Sequence, residues 1–116
     1  MEAQPEPPPN PYGSPSGAKR ALLLGAGGTQ LAIDGGGQTR LGRDPAVCAL
    51  HVPEPRVSGV HATLKFEGGQ LFVRDETSNN GTYIAGARIA PGAWVIVPDA
   101  VSLRFGPVDF AVRYVS

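Results

Sequence analysis

The 116-residue chain carries ten Lys and Arg against ten Asp and Glu, so no overall field draws it to DNA, RNA or an anionic membrane, and any anion it binds must be held by local geometry. A single cysteine, Cys48, excludes an internal disulfide, and with His51 and His61 as the only histidines there is no ligand set of structural zinc spacing, so neither metal nor cofactor is expected. No apolar run approaches the roughly 20 residues that span a bilayer, and the first residues lack the basic-then-apolar order of a secretory signal, so a soluble, cytoplasmic protein is the expectation.

Residues 1–18, MEAQPEPPPNPYGSPSGA, hold six prolines among small polar residues. Such a segment has nothing to pack and few donors for a ladder, and it is predicted to be a disordered tether. Pro7-Pro8-Pro9 has the form of an SH3-type ligand, but a linker is the favoured reading of a Pro-rich tract near a chain end.

From residue 19 the pattern becomes short apolar or alternating runs separated by Gly, Pro, Asn and Asp, and 19–116 is read as one domain. Strands are predicted at 21–24, 29–33, 39–41, 49–52, 61–66, 70–74, 83–84, 88–89, 94–97, 101–105 and 110–115. Within 61–66, Ala62, Leu64 and Phe66 share one face. No stretch keeps an apolar stripe of helical period for a helix's length. The predicted class is therefore all-β with essentially no helix, a sandwich of two antiparallel sheets whose loops gather at its two ends.

Four loop stretches carry more polarity than turns require. Gly42 ends the third strand where the backbone turns sharply or a ligand comes close, and the planar guanidinium of Arg43 suits a phosphate. Ser58 follows a run, 53–56, with two prolines that hold it extended. Ser58 and His61 have the spacing of a nucleophile and its base, but there is no G-x-S-x-G elbow and no orienting carboxylate, so a structural imidazole tying its own loop is the favoured reading. Asn80-Gly81 is a strong turn signal, and beside it Ser78 places a hydroxyl and Asn79 and Asn80 carboxamides, all of which both donate and accept.

In this order and spacing, Gly42-Arg43, Ser58-x-x-His61 about fifteen residues on, then Asp75-x-x-Ser78-x-Asn80-Gly81-Thr82, resemble the forkhead-associated (FHA) domain. The resemblance extends over the folded body, to Gly86, Pro91-Gly92 and the closing 103–106. It implies an eleven-stranded SMAD/FHA-type β-sandwich that binds phosphothreonine in an extended partner segment through loops at one end, without catalysis. Arg43 and Ser58 become phosphate ligands, Asn80 holds the bound peptide's backbone, Asn79 lines the pocket, and Gly42, His61 and Gly81 support the site. Two departures stand out. Gly59 follows Ser58 where the family often has Arg, Lys or Asn and offers only its backbone N–H, and Asn79 stands where Thr is common. Arg56, two residues before Ser58, is by loop proximity expected to reach the ligand instead, either the phosphate or a residue after the phosphothreonine. The implied partner is a phosphothreonine-containing protein of a Ser/Thr kinase pathway, a kinase or a kinase substrate, with no nucleic acid or membrane; the tail, which has no threonine, cannot supply the ligand. The competing reading is a phosphate-independent scaffold that assembles through a sheet face, its loop site weakened by Gly59.

Overall fold

Strict alternation along the chain builds the sandwich. In the segment 108–115 every second residue from Phe110 to Tyr114 is buried, and in 70–75 Leu71, Val73 and Asp75 are buried while their neighbours are half-covered. The structure, a computed structural model, describes residues 17–116. The tail expected over 1–18 lies, up to residue 16, outside the described residues.

Eleven strands form: β1 (Arg20–Leu24), β2 (Gln30–Asp34), β3 (Thr39–Gly42), β4 (Leu50–His51), β5 (Ala62–Glu67), β6 (Gln70–Asp75), β7 (Thr82–Ile84), β8 (Ala87–Arg88), β9 (Val95–Val97), β10 (Ser102–Phe105) and β11 (Val108–Val115). All overlap predicted runs. The only helical element among the described residues is one 3-10 turn, Ala26–Gly28. Six strands, in the order β2-β1-β11-β10-β7-β8, face five in the order β4-β3-β5-β6-β9. One pairing departs from the antiparallel expectation. β4 runs parallel to β3, Leu41 opposite Leu50, because the chain leaves Gly42 through loop 43–49 and returns along the outer edge of β3 in the same direction.

Leu23, Ile33, Leu103, Phe105, Phe110 and Val112 of one sheet meet Leu41, Leu64, Phe66, Leu71, Val73 and Val97 of the other. Each such side chain contributes roughly 1.5–3 kcal/mol when fully buried. Ala62, Leu64 and Phe66 face this core as predicted. The Tyr114 hydroxyl donates to the Val97 carbonyl and accepts from the Leu71 N–H at 2.8 Å, linking the two layers inside the core.

Register decides what happens at the ends. Leu41 pairs Ala62 and Ala62 pairs Asp75, while Phe105 pairs both Thr82 and Val108. The two rows meet through the edge-on contact of His61 with Phe105, centroids 5.8 Å apart. Loops 43–49, 52–61 and 76–81 and the turn 106–107 therefore share one end of the sandwich. Residues 17–19 enter β1 at the other end, where Arg20 pairs Val115.

Candidate functional site

The site is built on a buried brace. His61 is fully buried, its Nδ1 accepting the Ser58 backbone N–H at 3.1 Å and its Nε2 2.8 Å from the Gly81 carbonyl. An Nδ1 that accepts fixes the neutral tautomer with the proton on Nε2, which donates to Gly81. One imidazole thus holds two loops in fixed relation. The Gly81 carbonyl also accepts the Gly106 N–H at 2.9 Å, which ties in a third.

Asp75 organises the loop from β6 to β7. Its carboxylate accepts from the Ser78 N–H at 3.1 Å, the Ser78 hydroxyl at 2.6 Å and the Thr82 hydroxyl at 2.6 Å, and Ser78 Oγ in turn accepts the Gly81 N–H at 3.0 Å. Asn80-Gly81 does not close a two-residue hairpin, since β6 and β7 belong to opposite sheets. Gly81 is left-handed at φ 84°, Asn80 is not, and the loop's other left-handed residue is Thr77 at φ 59°. A β-branched residue there is strained, and the bonds to Asp75 that flank it hold the conformation.

Gly42 serves space, not turning. Its φ lies outside the left-handed region, but a Cβ would sit 2.2 Å from the Gly59 carbonyl oxygen and 3.0 Å from Cys48 Sγ. The backbone that comes close is that of loop 52–61, which pairs with the Arg43 and Asp44 N–H groups through the Ser58 and Gly59 carbonyls at 3.0 and 3.1 Å. Val57, fully buried, pins the same loop into the core, so that Arg56 and Ser58 flank it outward.

On this base the predicted residues converge. Arg43, exposed, donates through Nη1 to the Pro55 and Val57 carbonyls at 2.8 and 2.9 Å. Ser58 Oγ accepts the Asn79 backbone N–H at 3.1 Å, and Asn80 Nδ2 donates to the Arg56 carbonyl at 2.7 Å. Among the described residues no buried side-chain nitrogen or oxygen lacks a partner. Donors left over here include the rest of the Arg43 guanidinium and the Asn79 carboxamide, both exposed, and the Ser58 hydroxyl proton and Gly59 N–H, both half-buried. His61 bonds the Ser58 backbone rather than its hydroxyl, so the imidazole is not placed to activate that oxygen. Sequence reasoning quoted Asp75, Ser78 and Thr82 as a motif without roles, and it missed Val57 and the Cys48 thiol that donates to the Gly59 carbonyl at 3.1 Å. The Asp-x-x-Ser spacing, which suits an aspartate accepting from the backbone N–H three residues on, was the available signal for the first group.

Acid should loosen this end. Burial holds His61 below its ordinary value, against the Gly81 hydrogen bond and the nearby Asp75 charge. For Asp75 burial pushes upward, but the hydrogen bonds from Ser78 and Thr82 and the charge of His61 together hold it below the ordinary carboxylate range. Both folded-state values are depressed, so the unfolded chain takes up the protons first. Stability is complete above about pH 6.5, falls as His61 is drawn to protonate below that, and falls again below about pH 4 through Asp75. The denaturation midpoint should drop between about pH 6.5 and 5 in the wild type and stay level over that span in His61→Gln; an equal drop in both would place the titration elsewhere.

Among the described residues no group of His, Cys, Asp and Glu is arranged to hold a metal ion, and no helix is long and apolar enough to cross a membrane. The FHA domain family model matches residues 39–106. Similar solved structures include the FHA domain of the CT664 protein from Chlamydia trachomatis, at 22% identity over 84% of this chain and 99% of that one, TM-score 0.75. A domain studied for phosphothreonine-dependent FHA interactions is 21% identical over 84% of this chain and 98% of its own, TM-score 0.73. The MEK1 FHA domain, solved with a phosphothreonine peptide of HOP1, is 20% identical over 83% and 97%, TM-score 0.71. No curated protein matches by sequence.

Proposed function

The chain belongs to the FHA domain family, and from that premise we propose that it is a non-catalytic module that binds phosphothreonine in an extended segment of a partner protein. The observation that carries this reading is the set of unspent donors on Arg43, Ser58, Gly59 and Asn79, clustered on loops that His61 and Asp75 hold from beneath. The proposed domain, 19–116, runs beyond the matched 39–106; what supports these bounds is that β1, β2 and β11 belong to the six-stranded sheet. The proposed setting is a cytoplasmic Ser/Thr kinase pathway, the partner being a kinase or a kinase substrate.

Magnitudes are consistent with such a site. Phosphothreonine carries about −1.5 to −2 charges near neutral pH, and each charge-assisted hydrogen bond is worth roughly 1.5–3 kcal/mol. Three of them are enough to dominate a micromolar affinity of about −8 kcal/mol. With Gly59 supplying no side chain, Arg43 and Ser58 carry most of this. One extra methyl contributes about 0.8 kcal/mol, roughly fourfold in favour of threonine over serine, and the stiff β-branched χ1 adds orientation.

Titration of a phosphothreonine peptide library and its unphosphorylated twin tests the proposal. Phosphorylated members should bind more tightly, with affinity falling as salt rises. Equal binding of both sets would instead favour assembly through a sheet face, where Ile96 is exposed beside Phe72.

A further inference from the structure

We propose that Asn80-Gly81 is a site of spontaneous covalent modification, a deamidation held in check by the loop that carries it, and that its completion switches off phosphopeptide binding. The switch rests on the phosphothreonine reading above; the modification and its restraint do not.

The chemistry follows from the pair itself. Gly81 offers a backbone nitrogen with no side chain beside it, and that nitrogen, once it gives up its proton, attacks Asn80 Cγ. A C–N bond closes a succinimide ring, and the side-chain nitrogen leaves as ammonia with the proton released by Gly81. Water then opens the ring at either carbonyl, leaving aspartate or isoaspartate and one more negative charge. The chain has three asparagines, Asn10, Asn79 and Asn80. Asn10 precedes Pro11, which has no N–H to lose, and Asn79 precedes a residue whose side chain hinders the attack. Asn80 alone precedes a glycine, and it is exposed to the water that the second step needs.

The fold restrains both reacting groups. The Gly81 N–H, which must be stripped and moved, donates to Ser78 Oγ at 3.0 Å, and Gly81 is buried. The Asn80 carboxamide is drawn away to another loop, its Nδ2 donating to the Arg56 carbonyl at 2.7 Å. Beyond the reacting bond, the Gly81 carbonyl is held by His61 Nε2 at 2.8 Å and by the Gly106 N–H at 2.9 Å. Gly81 must therefore break away locally before it reacts, and the rate is that of the unrestrained pair scaled by the fraction of time the loop is open. Conversion undoes the same contacts. Aspartate at this position sets a carboxylate oxygen against the Arg56 carbonyl where a donor stood, and its charge opposes an incoming phosphate. Isoaspartate adds a methylene to the main chain and shifts Gly81 off its partners.

The test follows the full chain at mildly alkaline pH, separating the acidic product by ion exchange and locating it by mass spectrometry of its peptides. Asp34-Gly35 isomerises through the same kind of ring without change of charge or mass, so it does not interfere. The acidic product should form at Asn80 alone, about tenfold or more slowly than in the same chain unfolded in urea. Hydrogen exchange of the Gly81 amide needs the same opening and should be slowed by a similar factor. Ser78→Ala, which removes the acceptor, should speed both together; where that variant does not fold, urea below the unfolding midpoint should do so in the wild type. The isolated product should bind a phosphothreonine peptide about tenfold or more weakly than the unconverted chain. Conversion as fast folded as unfolded, conversion at another residue, or a rate that neither Ser78→Ala nor mild urea raises would overturn the restraint. Equal binding by converted and unconverted chains would overturn the switch. If the unconverted chain binds phosphorylated and unphosphorylated peptides alike, the phosphothreonine reading itself is what fails.

Discussion

Arg43→Ala is expected to raise the dissociation constant for a phosphothreonine peptide about tenfold or more, the loss of one or two charge-assisted hydrogen bonds. The structure adds a second consequence. Arg43 spends Nη1 on the Pro55 and Val57 carbonyls, so its removal also frees the strip of loop that carries Arg56 and Ser58. Val57 remains buried and the Arg43 and Asp44 backbone N–H groups still bond the Ser58 and Gly59 carbonyls; the fold should persist with only a small drop in melting temperature. Arg43→Lys keeps the charge but not the planar fork, and it should recover little of the affinity. Unchanged binding in Arg43→Ala would show that the guanidinium serves the loop alone.

Gly42→Ala is the largest expected effect on stability. A Cβ at 2.2 Å from the Gly59 carbonyl oxygen meets backbone, not the end of a flexible side chain. Loop 52–61 must move away from Gly42, and the bonds from the Arg43 and Asp44 N–H groups to the Ser58 and Gly59 carbonyls are lost with it. A cost of about 3 kcal/mol or more follows, on the order of 15 °C in melting temperature for a domain of this size. Phosphopeptide binding should fall with it, because Ser58 and Gly59 ride on the displaced segment. Gly59→Ala is the matched control: the nearest atom to its Cβ is 4.0 Å away, so it should be close to neutral. Similar stability for the two variants would mean that the loops are not packed as described.

Alternation made most of the sandwich readable from the residues. Wherever one face is buried the period is two, and runs such as 61–66 and 70–74 declare themselves. The parallel β4 did not, because a two-residue strand has no period and its direction depends on where loop 43–49 leads. The left-handed residue at 81 was legible as glycine, whereas that at 77 was not, since nothing about a threonine announces strain that its neighbours' bonds to Asp75 impose. Gly42 stands out in the sequence, yet what crowds it, another loop's carbonyl, lies seventeen positions away and needs the fold. The same holds for the pairing of Asn80 with the Arg56 carbonyl. Side chains within one loop show their local chemistry in sequence; contacts between loops do not.

The central claim is that donors from three separate loops meet on one phosphate, and amide spectra recorded during a titration address it most directly. With a phosphothreonine peptide, the signals of Arg43, Ser58, Gly59 and Asn79 should shift together along one binding curve, while the outer-face residues Phe72 and Ile96 stay in place and the unphosphorylated peptide moves none of them at the same concentration. Shifts centred on Phe72 and Ile96, or equal shifts with both peptides, would contradict it.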